Sequence, residues 1–205
     1  MKVLKLFFKW VFILLSPTRA LYEWLYKKNA NYSLINRWTT SFLLLSLIVI
    51  LLLMFVQPGK WLESTTYYYG YLILMLWPIS RINEIAYAFY HDSYEKLEKS
   101  DSRTKLTFLH RLHLLLKGYA EITINFSILY YILPKHMFNQ EFDNIIHSLY
   151  YSVVTITTVG YGDIYPKHWL SQLMCIYELG VGFVLIIFTF GIYIAKASSK
   201  DTPSG

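Results

Sequence analysis

The chain has 205 residues, of which 16% are charged, well below the ~25% usual for soluble domains. The charges occur in blocks between long uncharged stretches, which excludes a disordered chain and argues against a soluble globule. The single cysteine, Cys175, excludes an intramolecular disulfide framework and a thiolate zinc site. The net charge of +6 could indicate a nucleic-acid partner, but the positions of the basic residues favour a lipid bilayer surface and no nucleic acid.

The first 37 residues are predicted to lie on the cytoplasmic membrane surface. Lys2, Lys5 and Lys9 recur at helical spacing among apolar residues, the pattern of an amphipathic helix in the headgroup plane. Because these lysines lie within the apolar run and no small-residue cleavage site follows, the pattern argues against a signal peptide. A Ser-Pro pair then predicts the start of a second short helix over residues 18–28.

Two membrane-spanning helices are predicted next. Residues 38–59 carry no charge, and about 20 apolar residues are enough to cross a bilayer, so a span over about 38–57 is predicted. A second span over about 65–90 is long enough only if it includes Arg81 and Glu84. The polar residues after it are predicted to form a cytoplasmic loop.

Two further spans, over about 106–133 and 169–195, complete a predicted four-helix topology. Four crossings place 16 of the 19 Lys and Arg residues on the side of both termini, so the positive-inside rule predicts that both termini are cytoplasmic in the plasma membrane. Three or five crossings would remove this asymmetry. The predicted regions are the membrane-surface helices (1–37), a hairpin of two spans with its loop (38–103) and a C-terminal module (104–205).

The segment between the last two spans is neither a span nor an ordinary loop. A short helix is predicted over 143–157, with Asp143 as its N-cap, and it is too short to cross a bilayer. The sequence Thr-Val-Gly-Tyr-Gly-Asp follows at residues 158–163. Here the chain resembles the tetrameric potassium channel family over residues 106–195, and the six residues resemble the selectivity filter of that family.

The resemblance implies an all-α membrane protein with four transmembrane helices per subunit, a re-entrant pore helix and a filter loop. A homotetramer is expected because one chain has only one such loop. A dehydrated cation needs carbonyl oxygens that point at one axis, and glycine permits the backbone angles that align them. The implied K+ ligands are the carbonyls of the first four filter residues and the hydroxyl of the first; the filter comprises Thr158, Val159, Gly160, Tyr161 and Gly162. No enzymatic activity is expected, and no cofactor besides the permeant K+.

Residues around the filter are expected to support it. By resemblance, the side chains of Val159 and Tyr161 would pack against the pore helix. Asp163 would lie just outside the mouth of the filter, bonded to Tyr151 of that helix. The carboxyl end of the helix, near Thr157, would direct its negative dipole towards the axis, which favours a cation.

The last helix would line the inner cavity. By resemblance, Gly182 lies near the hinge of the family, and Gly191 is a second flexible point. A face that includes Phe183, Ile187 and Phe190 would make the lower pore apolar, so that it could close by dewetting. The alternative for each of these side chains is ordinary helix packing.

The charged residues within the predicted spans are a separate set of functional candidates. With a rise of 1.5 Å per residue, Arg81, Glu121 and Glu178 lie at similar depths, roughly 15–22 Å from the outer ends of their helices. This predicts that Arg81 pairs with Glu121 or Glu178 and docks the hairpin on the C-terminal module. The alternative is local pairing of Arg81 with Glu84, and of Lys117 with Glu121.

Alternative functions stay open from the sequence. The chain could be a non-selective cation channel or a subunit of a potassium uptake transporter, although such transporters carry several degenerate filter loops in one chain. No span repeats Arg or Lys at every third residue, which argues against steep voltage gating. The gating stimulus is therefore not predicted, and a separate regulatory subunit is possible.

Overall fold

The computed structural model describes Thr18 and residues 32–55, 65–97 and 106–198. The helices are α1 (Tyr32–Phe55), α2 (Thr65–Leu97), α3 (Phe108–Ile132), α4 (Ile145–Ile156), α5 (Trp169–Phe183) and α6 (Gly191–Ser198), with a 3-10 turn at Lys135–Met137 and a π-helical segment at Val184–Phe190. These ranges contain no β-strand and only one isolated bridge, between Phe138 and Pro166. The predicted all-α fold class is confirmed for this part of the chain.

Two stretches are long and apolar enough to cross a membrane by length and composition, α1 and Trp169–Ala195. Helix α1 begins at Tyr32, before the predicted start at 38, and α2 ends at Leu97, after the predicted end at 90. The first part of the predicted loop is thus helical, as far as Leu97. At the start of this part, Tyr90 stacks on Tyr94, which lies one helical turn later. The predicted membrane-surface helices, apart from Thr18, and residues 98–105 lie outside the described residues.

Helix α3 lies at the centre of the molecule, in contact with α1, α2 and α4. Most of its side chains are buried, and Ile122 and Phe126 expose no surface. Gly118 permits a close approach of α2, since a β-carbon there would lie 2.9 Å from side-chain atoms of both Ile85 and Phe89. Helix α1, in contrast, leaves apolar side chains outward, with Phe55 88% exposed, which suits contact with lipid.

The short helix α4 begins at Ile145, two residues after the start of the predicted range, and its N-cap is Asn144, not Asp143. The Asn144 side chain accepts hydrogen bonds from the backbone N–H groups of Ile146 (2.9 Å) and His147 (3.1 Å). These are the N2 and N3 donors, which only the residue directly before the helix reaches in this way.

The predicted inner helix is not one regular α-helix. Helix α5 begins at Trp169, where the His168 side chain accepts from the backbone N–H of Leu170 (3.2 Å). The π-helical segment then separates α5 from α6, and the Thr189 hydroxyl donates to the Val184 carbonyl (3.0 Å), five residues back. Segments of this kind are often found at functional positions in helices.

Candidate ion-conducting loop and its surroundings

The loop after α4 folds back on the carboxyl end of that helix. The Thr158 N–H donates to the Thr155 carbonyl (2.9 Å), and the N–H groups of Val159 and Gly160 both donate to the Val154 carbonyl (3.1 and 3.2 Å). The start of the loop is therefore held by carbonyls that a helix end would otherwise leave without partners.

Every second residue of this loop has a left-handed backbone. The φ angle is +60° at Thr158, +56° at Gly160 and +78° at Gly162. In an extended strand successive carbonyls point in opposite directions, and a left-handed residue at alternate positions brings neighbouring carbonyls towards the same side. The two glycines were predicted on this ground, whereas the left-handed conformation of Thr158 was not.

Asp163 is held by Tyr150, not by the predicted Tyr151. The Tyr150 hydroxyl donates to Asp163 Oδ2 (2.9 Å). Tyr151 points into the core, 5% exposed, and packs edge-on against Tyr130 and Phe138. The hydrogen bond to Asp163 therefore comes from the neighbouring residue on the exposed side of α4.

Asn139 is a supporting residue that the sequence reasoning missed. Its Nδ2 donates to the Asp163 carbonyl (2.7 Å), and its Oδ1 accepts from the Tyr165 N–H (2.8 Å). The Asn139 backbone N–H also donates to the Tyr165 carbonyl (3.0 Å). One asparagine thus fixes the chain directly after the loop, and no motif marks it in the sequence.

The side chains of Val159 and Tyr161, which were expected to pack against the helix before the loop, are partly exposed. Within the single chain, 52% of Val159 and 71% of Tyr161 is exposed. Thr157 is also exposed, and its hydroxyl donates to the Val153 carbonyl (2.6 Å) within α4. Much of the outer face of the loop is therefore exposed in the single chain.

The charges in the helices form one buried cluster. Arg81 donates from Nε to Glu121 Oε1 (2.7 Å) and from its terminal nitrogens to Glu121 Oε2 (3.0 Å) and Glu84 Oε2 (2.6 Å). Arg81 is 1% exposed and Glu121 0%. The Arg81 guanidinium also lies 4.1 Å from the ring centre of Phe42. The Trp38 indole donates a hydrogen bond to Glu84 (2.9 Å).

Both predicted pairings of Arg81 with Glu121 and with Glu84 are thus present together. Lys117, however, does not pair with Glu121 as the local alternative had it. Its ammonium donates to Asn36 Oδ1 (2.7 Å) and Thr40 Oγ1 (2.8 Å) of α1. The charged residues therefore join α1, α2 and α3 to one another.

Glu178 is not a partner of Arg81. Its carboxyl group accepts a hydrogen bond from the Tyr130 hydroxyl (2.7 Å) and lies 2.5 Å from the Ser152 hydroxyl. These contacts join α5 to α3 and to α4. Glu178 exposes none of its surface.

Gly182 allows a close contact between helices, which the hinge prediction did not consider. A β-carbon there would lie 2.9 Å from Ile156 Cγ1 and 3.4 Å from the Ile156 carbonyl oxygen. Gly191, at the start of α6, has open space around it. Phe183 and Phe190 are 59% and 38% exposed in the single chain, and the side chain of Ile187 lies outside the described residues.

Two tyrosines attach the inner helix to α2 on either side of the π-helical segment. Above it, the Tyr177 hydroxyl donates to Asn83 Oδ1 (2.8 Å); below it, the Tyr193 hydroxyl donates to Asp92 Oδ2 (2.7 Å). Asp92 also forms an ion pair with Arg111 of α3. The lower end of the inner helix is therefore fixed to both α2 and α3.

The described residues contain no group of three or more His, Cys, Asp or Glu side chains that could hold a metal ion. Protein side chains thus offer no such ligand cluster in this part of the chain. The candidate ligands for a cation are the backbone carbonyls of the loop.

Comparison with known families identifies the region that carries this geometry. Residues 118–198, from α3 through the loop to α6, match the family model described as "Ion channel". This segment therefore matches an ion channel family, not an enzyme family.

The related proteins indicate which kind of ion channel the segment resembles. The chain is 33% identical over 75 residues to potassium channel K2 of Plasmodium falciparum, a match that covers 37% of this chain and 5% of that protein. It is 34% identical over 75 residues to the human voltage-gated potassium channel KCNC4, covering 33% of this chain and 12% of the relative. It is 42% identical over 45 residues to the probable potassium channel protein 2 of Methanocaldococcus jannaschii, covering 22% of this chain and 13% of the relative.

The matched segment is thus similar to part of several potassium channels, and the resemblance seen in the sequence is confirmed at that level. The chain spans only a small fraction of the length of these relatives. No solved structure matches the chain.

Proposed function

We propose that the protein is a potassium-selective channel, in which four identical chains surround one pore and K+ permeates passively. The observation that carries this proposal is the alternation of left-handed residues at 158, 160 and 162, directly after a helix too short to cross a bilayer. Four loops of this kind around one axis would supply rings of carbonyl oxygens in place of the hydration shell of the ion.

The exposed face of the loop supports the assembly. Tyr161 is 71% exposed and Val159 52%, and exposed apolar side chains beside a functional loop favour a protein partner. A second copy of the chain supplies that partner in a tetramer. The presence of one loop in each chain also supports a homotetramer.

The proposed topology has four spans, α1, α2, α3 and Trp169–Ala195, with both termini in the cytoplasm. Helices α2 and α3 are less apolar than the other two, but their charges are buried against one another, with Glu121 0% and Arg81 1% exposed. Paired and hydrogen-bonded charges of this kind are compatible with a position inside a bilayer.

Flux measurements on the full-length protein in liposomes test the proposal. Vesicles loaded with K+ should release it down its gradient, with block by external Ba2+, and should pass Na+ much more slowly, as expected of a carbonyl-lined filter. Equal K+ and Na+ flux would support the non-selective channel instead. Uptake of K+ against its gradient would support a transporter subunit.

A further inference from the structure

Glu178 is a buried acid outside the proposed ion path. Its side chain extends from α5 and contacts α3 and α4. Oε2 accepts from the Tyr130 hydroxyl (2.7 Å), and Oε1 lies 2.5 Å from the Ser152 hydroxyl. Within the described ranges, Glu178 forms no ion pair with a Lys or Arg side chain.

The number of hydrogens in this network determines the form of the carboxyl group. Ser152 Oγ lies 2.5 Å from Glu178 Oε1 and also 2.9 Å from the backbone carbonyl oxygen of Thr123 in α3. A serine hydroxyl has one hydrogen to donate, but it can also accept. Both contacts are full hydrogen bonds only when Ser152 donates to Thr123 and accepts from Glu178, so the second hydrogen belongs to the carboxyl group.

A neutral acid also suits the surroundings. A carboxylate without a cationic partner in a fully buried position is costly, whereas a protonated carboxyl group that donates one hydrogen bond and accepts another is not. The chain of donors then runs from Tyr130 to Glu178, from Glu178 to Ser152 and from Ser152 to Thr123. Each of these polar groups has a partner.

We propose that Glu178, as a protonated carboxylic acid, is a positioning residue for the filter; this inference rests on the proposed function as a K+ channel. Ser152 lies in α4, and the Val154 carbonyl of the same helix holds the N–H groups of Val159 and Gly160. A displacement of α4 therefore displaces the first filter carbonyls. Glu178 fixes α4 against α3 at a point two residues before Val154.

Substitutions of Glu178 distinguish the neutral acid from a carboxylate. In Glu178→Gln the amide can still donate to Ser152 and accept from Tyr130, as the neutral acid does, whereas Glu178→Ala removes both contacts. With the full-length protein in liposomes, Glu178→Ala is expected to lower the K+-to-Na+ flux ratio about tenfold or more, since two buried hydrogen bonds that hold α4 are lost. Glu178→Gln is expected to restore the ratio to within about twofold of the wild type.

Two further variants keep the test decisive if Glu178→Ala does not assemble. Ser152→Ala and Tyr130→Phe each remove one hydroxyl of the network, and both are expected to lower the flux ratio. Ser46→Ala is the matched control. It removes a buried hydrogen bond to Asn125 (3.2 Å) between α1 and α3, away from α4, and should leave the ratio unchanged.

The outcomes separate the inference from the proposed function. Loss of selectivity in Glu178→Gln as severe as in Glu178→Ala would mean that the group acts as a carboxylate, and the inference would be wrong. Unchanged flux ratios in all network variants, with lower thermal stability alone, would reduce Glu178 to a structural role. A wild-type protein that shows no preference for K+ would overturn the proposed function itself.

Discussion

At the scale of single residues, the backbone conformation of the loop determines where its carbonyl oxygens point. Thr158 adopts φ +60° without being glycine, a conformation that costs about 1–2 kcal/mol for a residue with a β-carbon. Its N–H bond to Thr155 and the two N–H bonds of the following residues to Val154 hold it there. Strain of this kind is found where the surrounding structure enforces it for a function.

Gly162→Ala tests the backbone of the loop. A β-carbon at Gly162 would meet no atom within 4 Å, but φ at this residue is +78°. The substitution would therefore cause no steric clash with other residues, and its cost would come only from backbone strain. We expect loss of K+ selectivity with a change in unfolding free energy of about 1 kcal/mol. Liposome flux and thermal denaturation measure the two effects.

Gly180→Ala is the matched control for this substitution. Gly180 also has open space around it, but it lies in helix α5 without a left-handed φ. Alanine there should be neutral or stabilise by about 1 kcal/mol. A Gly162→Ala protein that keeps the selectivity of the wild type would contradict the role of the left-handed backbone.

The sequence predicted some of these residues and not others for a physical reason. The two glycines follow from the backbone angles that aligned carbonyls need. The choice between Tyr150 and Tyr151 does not, because two adjacent tyrosines have the same chemistry and differ only by about 100° around the helix. The packing of α4 decides that angle, and it turns Tyr151 inward and Tyr150 towards Asp163.

At the scale of helices, the sequence predicted the depth of the charged residues but not their direction. Arg81, Glu121 and Glu178 lie at similar depths by helical rise alone. Which of them meet depends on the rotation of each helix about its axis, which packing sets. In the structure Glu121 faces α2 and Glu178 faces α4, so only the former meets Arg81.

Arg81→Leu should release the hairpin of α1 and α2 from α3. The substitution leaves Glu84 and Glu121 buried without their cation, which is expected to cost about 3–5 kcal/mol. Chemical denaturation of the purified protein in detergent measures this loss. Exchange of the two charges, Arg81→Glu with Glu121→Arg, should recover part of the stability, and a double variant as unstable as Arg81→Leu would contradict the docking role.

Lys135→Gln is the control for loss of a cation. Lys135 is exposed, and its hydrogen bond with Glu141 raises the pKa of the lysine above its ordinary value, so the residue is charged at neutral pH. An exposed pair contributes little, and the variant should unfold like the wild type.

The attachment of the inner helix to α2 gives a second prediction at this scale. Tyr193→Phe removes the hydrogen bond to Asp92 below the π-helical segment. We expect backbone amides of Gly191–Ser198 to exchange with deuterium about fivefold faster, since one buried hydrogen bond of about 1 kcal/mol no longer opposes local opening. Tyr177→Phe, which removes the bond to Asn83 above the segment, should leave α6 unchanged; equal exchange of α6 in both variants would contradict this.

At the scale of the whole molecule, the exposed loop face predicts assembly. The chain mass is 24.3 kDa, and the purified protein should have four times this mass by light scattering, corrected for detergent. Co-expression of equal amounts of wild-type and Gly162→Ala chains gives a functional test. With free mixing, about one sixteenth of tetramers contain only wild-type chains, against about a quarter of dimers, so residual selective flux near a quarter would contradict the tetramer.

The buried cluster also has a consequence for biosynthesis. In the proposed four-span arrangement, Arg81 can pair with Glu84 within α2, but its second carboxylate, Glu121, lies 40 residues after it in α3. Helix α1 is apolar enough to enter the lipid by itself, whereas full pairing of the α2 charges requires α3. We therefore expect α2 to insert less efficiently in a chain truncated before residue 121 than in the full-length chain, because Arg81 then lacks one of its two carboxylates.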